Sequence, residues 1–132
     1  MVFEILHTTK KEGYVMDFYP DNIVYVKFDG ATKITLDKIK ELKKDGFDQF
    51  KGKKFRSITD FRNTIDVLTD EAKKFVANDP EFNKFKICEA LITTSFLTSF
   101  LFGIYLKVFK PKTITKSFSN FDDALKWIEK FS

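Results

Sequence analysis

The 132-residue sequence has one cysteine, Cys88, one histidine, His7, and one tryptophan, Trp127. A single cysteine excludes an intrachain disulfide and suits a reducing compartment. A cytoplasmic protein is therefore expected. One histidine and one cysteine give little toward a metal site, which needs several converging His, Cys or carboxylate groups. No metal and no cofactor are expected, with His7 read as structural or solvated and Cys88 as a small core residue. No GxSxG, Walker A, GxGxxG or HExxH occurs, so no catalytic signature is present. The longest uncharged stretch, Ala90 to Leu106, is shorter than the ~20 residues of a spanning helix and carries five Ser and Thr residues. No transmembrane segment is expected. The beginning, MVFEILHTTKKEG, shows no basic region ahead of an apolar run and no cleavage pattern, so no secretory signal is expected either. Three prolines and five glycines fall between periodic segments, without repeats or a linker, and residues 1–132 read as one domain.

Against these absences stand 17 phenylalanines and a composition that is 43% hydrophobic and 32% charged, which is globular. Phe brings large apolar area without a polar atom, so either the core is rich in rings or some rings lie outside it. The net charge of +4 is concentrated locally. Lys38, Lys40, Lys43, Lys44, Lys51, Lys53, Lys54 and Arg56 are interrupted by Asp37, Glu41, Asp45 and Asp48, the pattern of a solvated helix face. No base-stacking aromatics interleave with these lysines in a known motif, and no nucleic-acid partner is expected.

Hydrophobic periodicity orders the chain. Short strands are predicted at 2–6, 14–19 and 23–28, with a turn at 10–13 and another at Pro20-Asp21-Asn22. Thr35 is an N-cap for a helix with Leu36, Ile39 and Leu42 on one stripe, and Gly46 is a candidate stop. A strand follows over 54–60. Thr69 caps a second helix, with Asp70 and Glu71 complementing its dipole, and Asn78-Asp79-Pro80 breaks it. Residues 87–93 read as an apolar strand buried on both faces, 95–109 as an intensely apolar helix and 114–118 as the last strand. Asn120 caps a final helix that buries Ala124, Leu125, Ile128 and Phe131. Strands alternating with helices imply an α/β fold. The expectation is a mixed, mostly parallel sheet of about five to six strands with about four helices, opening on an antiparallel meander.

Several stretches carry a family likeness. Arg56-Ser57-Ile58-Thr59-Asp60-Phe61-Arg62 is a strand ending in Asp-x-Arg. The apolar helix around Leu97–Leu106 leads to Phe109-Lys110-Pro111-Lys112, and Phe118 precedes Asp122-Asp123-Ala124-Leu125-Lys126-Trp127-Ile128. Over most of residues 20–132 this combination resembles small uncharacterised bacterial proteins with the SpoIIAA-like fold, related to STAS domains. The resemblance implies a SpoIIAA-like (STAS-like) domain. STAS anti-sigma-factor antagonists carry a phosphorylatable Ser before a Gly at the start of the helix after the Asp-bearing strand. Here the matching stretch is Val67-Leu68-Thr69-Asp70-Glu71-Ala72, without that pair, so a kinase-operated switch does not transfer. Thr69 and Asp70 read as a cap and a dipole-matching acid.

The apolar helix is the most informative feature. At about 100° per residue, Phe96, Leu97, Phe100, Leu101, Ile104, Tyr105 and Val108 fill half the circumference, enough to face a core. Phe102, Leu106 and Phe109 fall outside that arc as a second stripe, expected to need another cover. That cover is another part of the chain, a homodimer or protein partner, or a lipid-like ligand or membrane surface. Three readings follow. The first is a non-enzymatic regulatory or protein-interaction module using Phe102, Leu106 and Phe109. The second is a carrier of a small apolar or lipid-like ligand. The third is an enzyme with Asp60, Arg62 and Asp66 as acid–base candidates, which nothing visible activates. Asp60 and Arg62 either pair structurally or stand beside a ligand at the carboxyl end of the sheet.

Overall fold

The computed structural model describes residues 4–131. Its frame is one six-stranded sheet whose strands lie in sequence order. Strands β1 (His7–Lys11), β2 (Tyr14–Tyr19) and β3 (Ile23–Phe28) form the antiparallel meander. Strands β4 (Phe55–Asp60), β5 (Lys86–Ile92) and β6 (Ile114–Phe118) continue from β3 in parallel. The helices are α1 (Leu36–Phe50), α2 (Asp70–Asn78), α3 (Pro80–Phe85), α4 (Phe96–Phe109) and α5 (Phe121–Ile128). None of them is long and apolar enough to cross a membrane.

Local chemistry accounts for most boundaries. Pro20 starts the β2–β3 connection, and Asp21 and Asn22 take left-handed backbone at φ 64° and 56°, which Asp and Asn tolerate best after glycine. Thr35, Thr69, Ser95 and Asn120 each accept an amide hydrogen bond from the first turn of their helix, satisfying an otherwise unpaired donor.

Three boundaries differ from the sequence expectation. The first strand is His7–Lys11, not 2–6, of which residues 2 and 3 lie outside the described residues. It is a largely exposed edge strand, so its position follows from pairing His7–Lys11 against Phe18–Tyr14 across the turn at Gly13, and not from hydrophobicity. Helix α1 runs through Gly46 to Phe50, because Gly46 is where Met16 approaches the helix: a Cβ there would sit 3.2 Å from the Met16 methyl. The helix ends at Lys51 and Gly52, both with positive φ. The break at Asn78-Asp79-Pro80 starts a fifth helix, α3, because Asp79 accepts from the Phe82 amide at 3.0 Å and Pro80 fits the first helical position.

Parallel strands laid down successively in one direction by right-handed crossovers place their helices on one face of the sheet. Accordingly α1, α2, α3 and α4 share one face and, among the described residues, α5 covers the other. The first core gathers Met16, Val24, Phe28, Ile39, Phe50 and Phe82 with many half-buried rings. Here Phe50 stacks on Phe55 at 4.4 Å between centroids, and Phe47 meets Phe55, Phe82 and Phe85 edge to face. The second core packs Ala124 and Ile128 of α5 onto Ile23, Ile58, Cys88, Ala90 and Ile92. Arg56 reaches from β4 to the carbonyls of Ile128 and Phe131, a cation at a helix C-terminus.

Candidate functional site

Helix α4 has α2 as its helical neighbour, and its Leu101, Phe102 and Tyr105 line a cavity together with Glu89 and Leu91 of β5. Its rotation is set by Thr98, which is buried and donates its hydroxyl to the Thr64 carbonyl at 3.2 Å. With Thr98 inward, the same side carries Leu101, Phe102, Tyr105, Leu106 and Phe109, all half-buried. The Phe102 ring meets Phe61 edge to face at 4.9 Å. This reverses the expected assignment of faces: Phe102, Leu106 and Phe109 lie on the side turned to the body of the chain. The outward stripe is instead Phe96, Leu97, Phe100, Ile104 and Val108, with exposures from 43% to 89%. A helix apolar on every side carries little directional signal, and the buried Thr98 hydroxyl is the asymmetry that decides. The outward face also holds the small residues Ser99 and Gly103 and the single charge Lys107; a Cβ at Gly103 would meet nothing within 4 Å.

Asp60 and Arg62, read from the sequence either as a structural pair or as ligand-side groups, form an ion pair. The Asp60 carboxylate ends β4 fully buried and accepts from Arg62 Nη2 at 2.8 Å, from Nε at 3.1 Å and from the Arg62 amide at 2.9 Å. The Tyr25 hydroxyl donates to the same carboxylate. Burial alone would push Asp60 up, but these donors hold it below the ordinary carboxylate range. Burial and the Asp60 charge push the Tyr25 phenol upward. Every strong acceptor direction of Asp60 is thus used within the protein, which is the geometry of a strand-end clamp. Asp66 pairs with Lys73 at 2.5 Å.

A second polar group was missed by reasoning from sequence. Strand β5 is apolar except at its start and centre. Lys86 is almost buried, and its ammonium lies 2.9 Å from Glu89 Oε2, over the Phe82 ring. The Ser57 hydroxyl of β4 donates to that same oxygen at 2.8 Å. Glu89 faces the α1–α2–α4 layer while its neighbours Cys88 and Ala90 face α5. The signal was present: a carboxylate at the middle of a strand buried on both faces must have a partner. Two adjoining cavities meet at this island, one beneath α1 and one beneath α4, each of about 70 Å³, and Phe61, Leu68, Val76 and Glu89 line both. Burial and the Glu89 charge push the Tyr105 phenol in the second cavity upward.

The remaining candidates are occupied structurally. His7 lies on the exposed β1, with Nε2 3.2 Å from the Thr9 hydroxyl. Cys88 is fully buried, and burial pushes its thiol up to about 11. Thr69 caps α2, and Asp70 is exposed beside Lys73. Within the basic stretch, Lys43 bridges Asp79 and Glu81 while Arg56 binds backbone carbonyls. Among the described residues no group of three or more His, Cys, Asp or Glu is placed to hold a metal ion.

A family model described as a domain of unknown function (DUF7793) matches residues 16–132. No curated protein and no solved structure matches the chain.

Proposed function

Because the chain belongs to the DUF7793 family of domains of unknown function, we propose from its own geometry that it is a non-enzymatic interaction module, associating with a second copy of itself through the outward face of α4. The observation that carries this reading is the run of Phe96, Leu97, Phe100, Ile104 and Val108, all exposed on one helical face. Each large side chain removed from water contributes about 1.5–3 kcal/mol, and contiguous apolar patches of this kind mark interaction surfaces.

A second copy suits the face because the face is self-complementary. An antiparallel pair of α4 helices crossing near Gly103 brings backbones close where side chains are smallest and sets Phe100 of one copy among the apolar residues of the other. It also places Lys107 beside Ser99, away from the other Lys107. The resemblance to STAS-related domains supports a regulatory, binding role of this kind. The inward residues Phe102, Leu106 and Phe109 then support the helix from below.

Sedimentation velocity over a concentration series tests the reading. The wild type is expected to self-associate, and Phe100→Asp with Ile104→Asp is expected to be a folded monomer. A wild type that stays monomeric at every concentration overturns it.

A further inference from the structure

We propose that the two adjoining cavities beneath α1, α2 and α4 form one binding site for a slender, uncharged apolar molecule carrying a hydroxyl or carbonyl oxygen, which Thr59 recognises. This site is separate from the outward face of α4 and does not depend on its role.

Three observations carry the inference. The first is size. The cavities share Phe61, Leu68, Val76 and Glu89 as common walls. Each holds about 70 Å³, and a joined space approaches the ~150 Å³ of an apolar cavity able to take up benzene. The second is an unused polar group. Thr59 lies on β4 two residues beyond Ser57, lines the first cavity and is 8% exposed. Its hydroxyl lies outside the hydrogen bonds that join Ser57, Lys86 and Glu89 beside it. A hydroxyl in a cavity wall that this network does not use is available to donate to a guest oxygen.

The third is charge balance. Lys86 is paired with Glu89, Lys73 with Asp66, and Lys43 with Asp79 and Glu81. Each charge lining the space is already matched by the protein, so an ionic head would have to displace an internal partner and leave it buried and unmatched. A neutral head meets no such cost. Most of the remaining wall is apolar, and an alkyl chain fills it.

Titration of the full-length protein with 1-octanol, followed by amide chemical shifts in two-dimensional NMR, tests the proposal, with sodium octanoate as the charged counterpart. Saturable shifts are expected around Thr59, Leu68, Val76 and Leu91, with octanoate much weaker. Thr59→Val keeps the shape and removes the donor; it is expected to weaken 1-octanol by about fivefold, the worth of one hydrogen bond. Val76→Phe is expected to fill the shared wall and abolish binding. Thermal unfolding confirms that each variant is folded, and the comparison of 1-octanol with octanoate on the wild type stands without either variant. Absence of saturable shifts overturns the site. Octanoate binding as tightly as octanol, or an unchanged affinity in folded Thr59→Val, overturns the assigned chemistry. Shifts confined to the outward face of α4 would place the ligand elsewhere and equally overturn it.

Discussion

The Thr98 hydroxyl donates to the Thr64 carbonyl at 3.2 Å, inside the contact between α4 and the loop that follows β4. The Thr64 hydroxyl in turn donates to the Phe61 carbonyl at 2.7 Å, so helix, loop and strand end are tied in series. A methyl group would be at home on any side of so apolar a helix, whereas a buried hydroxyl must face its acceptor. Thr98→Val preserves the shape and leaves that acceptor unmatched. The expected loss is about 1–3 kcal/mol, read as a lower urea midpoint at unchanged slope.

The two faces of α4 respond differently to truncation. Phe102 is half-buried against Phe61, so Phe102→Ala is expected to cost about 2 kcal/mol, below the 3–5 of a fully buried ring. Phe96 is 89% exposed, and Phe96→Ser is expected to change stability by less than about 0.5 kcal/mol. Equal destabilisation by the two substitutions in urea would contradict the orientation of the helix.

Asp60 and Arg62 couple stability to pH. Asp60→Asn removes the charge from a fully buried site, while Arg62 keeps 34% of its side chain in water. That exposure lets water offset part of the loss, and about 2 kcal/mol is expected in place of the 3–5 of a wholly buried pair. The folded carboxyl titrates below its ordinary value. Its stabilisation is therefore present above the unfolded carboxylate pKa of about 3.9 and is lost as pH falls through the lower, folded value. Urea curves at several pH values should show the gap between wild type and Asp60→Asn at full size near neutrality and closing under acid. A gap that persists undiminished in strong acid would disconnect it from this carboxylate.

Lys86 and Glu89 form a nearly buried ion pair. Glu89→Leu alone strands the Lys86 ammonium and is expected to cost about 3 kcal/mol or more. Lys86→Met combined with Glu89→Leu removes both charges and is expected to recover that loss within about 1 kcal/mol. A double-mutant cycle in urea measures the coupling, and additive single effects would argue that the two groups do not interact.

Cys88 is fully buried, and its thiol is held up near 11 by burial. At neutral pH it is therefore a neutral, inaccessible thiol, and the thiolate is the reactive form. Labelling by a disulfide reagent is expected only at the rate of unfolding. Rapid labelling of the native protein would show that β5 opens locally.

Much of the fold was legible in local signals. The caps at Thr35, Thr69, Ser95 and Asn120, the alternation in β2 and the turn at Pro20-Asp21-Asn22 are each a matter of a few neighbouring residues. The boundaries that misled belong to residues whose reason lies elsewhere in the chain. Gly46 marks the approach of Met16 and not a stop, and the first strand exists because β2 offers it an edge.

The sequence by itself determined the order of strands and helices apart from α3, because hydrophobic period and capping chemistry are local properties of the backbone. It also determined that Asp60 would lie within reach of Arg62, two residues away at a strand end. Only the tertiary structure decided which side of α4 faces water, because a helix apolar all round carries too weak a direction until Thr64 offers Thr98 an acceptor. Only it brought Ser57, Lys86 and Glu89 into one island, because parallel pairing sets residues more than thirty positions apart side by side, and no local spacing encodes that neighbourhood.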